Sequence, residues 1–236
     1  QGEGEIPKKR SKGTPQGSVI SPLLANLFMH YAFDHWLARK HPQIKFARYA
    51  DDAVLHASSL EEAQELLEKV RERMKECGLE LHPEKTRIVY CQDSDRKEEY
   101  EHIAFDFLGY TYRPRRAKNW KGKMFISFLP GISQKAAKTI RQRIRGWKLG
   151  ATCNNRSLED LADWINPVLR GWLHYYGRYY PSALTPVMRQ MDRSLVYWAR
   201  RKYKRLHRHQ RRANHWLGRL ARRSPELFVH WKAGIR

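Results

Sequence analysis

Two adjacent carboxylates, Asp51 and Asp52, stand between two short apolar runs in the segment Ile44–Ala57 (IKFARYADDAVLHA). The flanking pattern predicts a strand, a tight acidic turn and a second strand. Neighbouring side chains on a strand point to opposite faces, but at a tight turn at least one carboxylate projects clear of the sheet. Hard oxygen ligands placed there suit Mg2+, which commonly takes one or two protein carboxylates together with substrate phosphates. Phosphoryl and nucleotidyl transfer use that arrangement, two metals stabilising the attacking and leaving oxygens. Asp-Asp is also ordinary turn chemistry, because Asp tolerates turn conformations and bonds its own backbone.

The elements that must position this turn follow from periodicity. Residues 1–22 are polar and rich in Gly, Pro, Lys and Ser, and read as a loop. Leu23, Leu24, Leu27, Tyr31 and Leu37 recur near helical spacing and predict an amphipathic helix. After the hairpin, Ser59 and Glu62 form a capping-box pattern. Ala63, Leu66, Leu67, Val70, Met74 and Cys77 then repeat at helical spacing, and Gly78 ends the helix. Leu79–Leu81, Thr86–Cys91, Asp106–Tyr112 and Met124–Leu129 read as short strands, with a charged loop at Gln92–Glu101. From Ser133 the period turns helical, predicting helices near 133–148, 157–180, 185–206 and 209–222. Pro167 is expected to kink or divide the second, while Pro186 sits in a first turn where its missing N–H costs nothing. The order is therefore α+β first and all-helical second, with the boundary near Pro130–Ser133.

Charge follows the same division. The 236 residues carry a formal net charge of +22. Residues 1–110 hold 16 Lys/Arg against 19 Asp/Glu, whereas residues 111–236 hold 30 against 5. At 41% hydrophobic the chain is too apolar for a disordered basic tail. A polyanion is the expected partner, with nucleic acid ahead of a membrane, and no apolar run approaches a membrane span. Cations are densest at Arg141, Arg143, Arg145 and Lys148, and at Arg200, Arg201, Lys202, Lys204, Arg205, Arg208, Arg211 and Arg212. Phosphate contacts are their expected work. A third basic run, Arg113, Arg115, Arg116, Lys118, Lys121 and Lys123, reads as an exposed loop or hairpin. Most interleaved aromatics are expected in a bundle core, since Ile165, Leu169, Trp172 and Tyr176 share one helical face, as do Met188, Met191, Leu195 and Trp198. His207, His209 and His215 lie among arginines and read as a solvated basic face rather than a metal site. Cys77, Cys91 and Cys153 are odd in number and widely spaced, which fits a reducing compartment, the cytoplasm, rather than a disulfide framework.

Several motifs accompany Tyr49-Ala50-Asp51-Asp52 in a fixed order. Upstream are Gly13-Thr14-Pro15-Gln16-Gly17-Ser18 and Ser21-Pro22-Leu23-Leu24-Ala25-Asn26-Leu27. Downstream are Gly78-Leu79-Glu80-Leu81-His82-Pro83-Glu84-Lys85-Thr86 and Phe107-Leu108-Gly109-Tyr110, then Asn166-Pro167, Leu169-Arg170-Gly171-Trp172 and Tyr175-Tyr176-Gly177. In this order the set resembles the reverse transcriptases of bacterial group II introns, the intron-encoded maturases. The short C-terminal end is similar to the class C proteins, which lack an endonuclease domain.

That resemblance implies a partial reverse-transcriptase palm, an antiparallel sheet with helices, over 13–130. A helical thumb/maturase domain would follow over 131–206 and a basic C-terminal helical extension over 207–236, with 1–12 as a leader or remnant. It implies that Asp51 is a metal-binding palm carboxylate and Asp52 its neighbour in the motif, in a two-metal Mg2+ site. Pro15, Gln16, Gly17, Tyr49 and Ala50 would lie against the incoming dNTP and the template pair. Lys85 would lie near the triphosphate, although a solvated Lys reads equally well there. Phe107, Leu108, Gly109 and Tyr110 would grip the primer end. Arg141, Arg145, Arg170, Arg200, Arg201, Lys202, Lys204, Arg205, Arg211 and Arg212 would contact RNA. The implied partners are group II intron RNA and an RNA-template/DNA-primer duplex.

The family uses a third carboxylate on a palm strand ahead of Gly13, and the twelve residues there contain no strand. The expectation is that the isolated chain does not polymerise unless a fingers/palm portion or a second copy supplies that ligand. Two other readings stay open: a non-catalytic RNA-binding splicing cofactor, and a reverse transcriptase of a defence or CRISPR-associated system.

Overall fold

A computed structural model describes residues 19–235. Pro15, Gln16 and Gly17 lie outside the described residues. The chain divides into two compact units between Ile88 and Val89, and the fold is α+β.

The first unit opens with α1 (Ser21–Met29), which carries Pro22 in its first turn and runs directly into a π-helical segment, His30–His35, and then α2 (Trp36–Lys40). The buried stripe is not the expected one. Leu23, Leu24, Leu27 and Tyr31 are exposed, whereas Phe33 and Leu37 are buried. α1 buries none of its residues, and the buried positions of this segment begin only at Ala32 and Phe33 in the π-helical stretch. A hairpin follows, β1 (Phe46–Tyr49) with β2 (Asp52–Leu55), and then α3 (Leu60–Glu76). Ser59 Oγ caps α3 by accepting from the Glu62 N–H at 3.2 Å, while the Glu62 carboxylate accepts from the Ser58 N–H at 2.6 Å. The box therefore closes one residue further back than its usual form. Leu66, Val70 and Met74 face Phe33, Leu37 and Ile44 across the core, and Gly78, at φ +73°, turns the chain out. Residues 79–81 and 86–91 are irregular rather than stranded. Their backbone groups take local or isolated partners instead of a ladder: the Thr86 N–H bonds the His82 carbonyl and the Tyr90 N–H bonds the His102 carbonyl.

The second unit carries the three-stranded antiparallel sheet β3 (Phe105–Phe107), β4 (Tyr110–Lys118) and β5 (Met124–Ile132). The single strand expected over Asp106–Tyr112 is in fact two, because Leu108 and Gly109 take φ of +50° and +79° and reverse the chain. Met124–Leu129 is a strand as expected, extended to Ile132. The helices α4 (Gln134–Gly146), α6 (Leu158–Tyr176), α7 (Thr185–Lys202) and α8 (Gln210–Arg223) lie where the periodicity puts them, with short α5 (Leu149–Thr152) and α9 (Val229–Lys232) in addition. Ser133 and Ser157 cap α4 and α6 through their hydroxyls. Pro167 does not divide α6, which continues on either side of it. One core joins Ile144, Ile165, Leu169, Met188, Met191, Leu195 and Trp198. The C-terminal segment shares that core through Ala213, Leu217, Phe228, Trp231 and Ile235.

Candidate active site and nucleic-acid surface

The β1–β2 register pairs Tyr49 with Asp52, so Ala50 and Asp51 form a two-residue turn. Ala50 has φ +52°. That left-handed conformation costs an L-residue about 1–2 kcal/mol and has to be held by its surroundings. Arg48 holds it: its Nη1 donates to the Ala50 carbonyl at 2.8 Å and to Asn26 Oδ1 at 3.2 Å. The other side of the guanidinium forms a fork on Asp34, with Nε to Oδ1 at 2.7 Å and Nη2 to Oδ2 at 2.6 Å. The Arg48 fork holds the Asp34 carboxyl below its usual range against the opposing effect of burial, with the charges of Arg48 and His30 adding to it, and the same contact raises Arg48. One residue therefore ties α1, the π-helical segment and the acidic turn together.

Asp51, Asp52 and Tyr49 are exposed at this turn, and Asp51 adds to the negative field around Arg48. Lys85 is exposed beyond the His82–Lys85 turn, where its N–H bonds the His82 carbonyl. The donor set at the turn is hard oxygen and fits Mg2+ chemically. Among the described residues, however, no three His, Cys, Asp or Glu side chains gather to hold a metal. The turn thus presents exposed carboxylate oxygens of the right chemistry without a complete ligand set among the described residues. No sequence motif signals that Arg48 joins Asp34 and Asn26, the latter appearing only within the Ser21–Leu27 motif.

In the second unit, Phe107, Leu108, Gly109 and Tyr110 form the β3–β4 turn. It is fastened to the end of α6 by tyrosines. Tyr175 Oη donates to the Leu108 carbonyl at 2.9 Å, and Tyr110 Oη donates to the Tyr175 carbonyl. The Tyr110 ring lies 5.2, 5.6 and 5.7 Å from those of Tyr175, Tyr176 and Tyr179. Burial among them pushes the Tyr110 phenol up to about 12. A side chain at Gly109 would meet Tyr176 Oη at 3.0 Å. The Gly is required both by its backbone and by that approach.

The cations fall into three groups. Arg145, Arg170, Arg201, Lys204, Arg205, Arg211 and Arg212 are exposed. Arg141 and Arg200 are half-buried, Arg200 donating to Gln210 Oε1 at 2.6 Å, and Lys202 is tied to the Arg156 carbonyl. Arg115 corrects the expectation of an exposed run. It is buried, donates to the carbonyls of Leu129 and Thr111 at 3.1 Å, and lies 4.9 Å from the Tyr180 ring. Those carbonyls and the Tyr180 ring cover it, whereas Arg113, two residues earlier on the same strand face, stays exposed. His207, His209 and His215 are exposed.

Comparison with known families places two domains on this framework. The family described as reverse transcriptase (RNA-dependent DNA polymerase) matches residues 1–112. The group II intron maturase-specific domain matches residues 136–216. The first spans the acidic turn and the Phe107–Tyr110 turn, and the second spans the basic helices. The chain belongs to the group II intron reverse transcriptase/maturase family, whose activity is RNA-directed DNA synthesis and whose maturase domain serves splicing. A search of the curated proteins finds no match. No helix among the described residues is long and apolar enough to cross a membrane.

Proposed function

We propose that Asp51, with Asp52 beside it, supplies carboxylate ligands for Mg2+ during RNA-directed DNA synthesis on intron RNA. The observation that carries this reading is the exposed two-residue acidic turn locked by Arg48. In the reaction a primer 3′-hydroxyl attacks the α-phosphorus of a dNTP in line, a new P–O bond forms and pyrophosphate leaves. Mg2+ supplies charge stabilisation to the attacking and leaving oxygens when bound. Arg48 keeps the Asp51 backbone in place without itself facing substrate. Lys85 would offset charge on the leaving pyrophosphate. The Phe107–Tyr110 turn would pack against the primer end, held by Tyr175. Pro15, Gln16 and Gly17 would approach the nucleotide and template.

Residues 13–130 would act as palm and 131–236 as thumb and maturase surface. Exposed cations of α4, α6, α7 and α8 would contact phosphates of intron RNA and of the template-primer duplex. A fingers/palm portion or a second copy would supply the further carboxylate that the family's site uses. A second reading, an RNA-binding splicing cofactor, is favoured by the exposed cations of those helices. Asp51→Ala separates the two. In the first reading it abolishes DNA synthesis and leaves intron splicing within about twofold. Splicing that needs Asp51 as much as synthesis does would reject the assignment.

A further inference from the structure

The β4–β5 hairpin extends beyond the contacts that anchor it. Near its base, Tyr112 stacks on Phe105 at 4.8 Å and Arg115 is buried against Tyr180. Ser94 bonds both the N–H and the carbonyl of Ile126. Past that point the hairpin exposes apolar side chains on both faces: Met124 is 57%, Phe125 40% and Ile126 44% exposed. At the tip Trp120 is 90% exposed. The tip is nonetheless ordered by its own hydrogen bonds. The Asn119 N–H bonds the Lys123 carbonyl at 3.0 Å, and Asn119 Oδ1 accepts from the Lys123 N–H at 2.9 Å.

Four exposed cations, Arg116, Lys118, Lys121 and Lys123, lie along the same distal hairpin, and Lys121 Nζ lies 4.8 Å from the Trp120 ring centroid. Among the described residues none of the four pairs with a carboxylate, and the sequence has no Asp or Glu between Asp106 and Glu159. An apolar, single-sign surface of this kind is complementary to a polyanion that also offers aromatic faces. Bases inside a duplex have both faces already stacked, so an exposed indole on a fixed turn selects unpaired ones.

We infer that the distal β4–β5 hairpin is a contact for single-stranded RNA, Trp120 stacking on an unpaired base while the four cations hold the flanking phosphates. This rests on the nucleic-acid reading above and adds to it a specific site and a preference for unpaired strands.

The test is fluorescence anisotropy with labelled single-stranded RNA, single-stranded DNA and a blunt RNA duplex, using the whole chain. Trp120→Ala should weaken single-strand binding about 5- to 20-fold and change duplex binding less than about twofold. Trp120→Phe should restore most of the loss. Lys121→Ala with Lys123→Ala should lower the slope of log K against log salt by about 1.4, the share of two phosphate contacts on a single strand. Unchanged thermal melting checks that the variants fold. An equal loss on single strand and duplex, or no loss on either, would overturn the inference. So would a Trp120→Ala defect confined to phosphatidylserine vesicles, and a preference for DNA over RNA would overturn the assignment to RNA. If the wild-type chain bound no RNA in a salt-dependent manner, the broader nucleic-acid reading would itself fail, a result distinct from a failure of the hairpin alone.

Discussion

Arg48 grips Asp34 with both arms of its guanidinium, at 2.7 and 2.6 Å, while its remaining nitrogen bonds the Ala50 carbonyl at 2.8 Å. A planar fork is what permits this, because carboxylate and carbonyl are engaged from different edges of one group. The turn that presents Asp51 is thereby tied to the π-helical segment behind it. Local strain at Ala50 is offset by a contact that begins two residues earlier and ends on another element.

Removing that fork should be costly. Arg48→Ala is expected to destabilise the first unit by about 2 kcal/mol, the scale of hydrogen bonds to charged groups, and leaves Asp34 without its partner. Arg48→Lys should recover less than half, since an ammonium cannot make the fork. Urea denaturation of each variant, with Asp34→Ala to close a double-mutant cycle, measures the coupling.

The same pair sets an acid limit. The Asp34 carboxyl is held below its ordinary value by Arg48. Its contribution is therefore present above the unfolded carboxylate range, near 4, and is lost as the pH falls through the depressed folded value. Melting temperature followed from pH 5 to 2 should drop less steeply in Asp34→Asn than in the wild type.

Tyr110 sets the opposite limit. Its phenol is raised to about 12 by burial. The neutral form is thus favoured in the fold, and its stabilisation is complete below the unfolded value near 10 and disappears as the pH rises from about 10 to 12. Tyr110→Phe should remove that alkaline component while costing about 1 kcal/mol at neutral pH for the lost bond to the Tyr175 carbonyl. Gly109→Ala should cost about 1–2 kcal/mol, because φ is +79° there.

Asn166 should govern the C-terminal segment. Its amide donates to the Leu227 carbonyl at 2.9 Å and accepts from the Val229 N–H at 3.1 Å. Asn166→Ala is expected to raise hydrogen exchange over residues 227–233 by about tenfold, as both bonds are lost. Exchange confined to α6 instead would contradict that role.

Much of the framework is legible in the chain. Ser59 marks a helix start because its hydroxyl caps an N–H that would otherwise lack a partner, and the apolar repeats of α3, α6 and α7 identify their buried faces. The acidic turn is legible for the same reason, as two short strands flank two turn residues. What escapes is long-range. Arg48 meets Asn26 and Asp34 across 22 and 14 residues, and no local pattern signals that meeting. Arg115 looks like surface until the Leu129 and Thr111 carbonyls and the Tyr180 ring cover it, and α1 leaves its apolar residues exposed. Leu108 adopting positive φ beside Gly109 hides a turn inside an apolar run.

The most direct measurement is primer extension on an RNA template with Mg2+, using the 236-residue chain alone and with an added fingers/palm fragment, each against Asp51→Ala. The account predicts extension when the added fragment supplies the further carboxylate, with synthesis lost in Asp51→Ala and RNA binding retained. Extension that proceeds equally well in Asp51→Ala would contradict it.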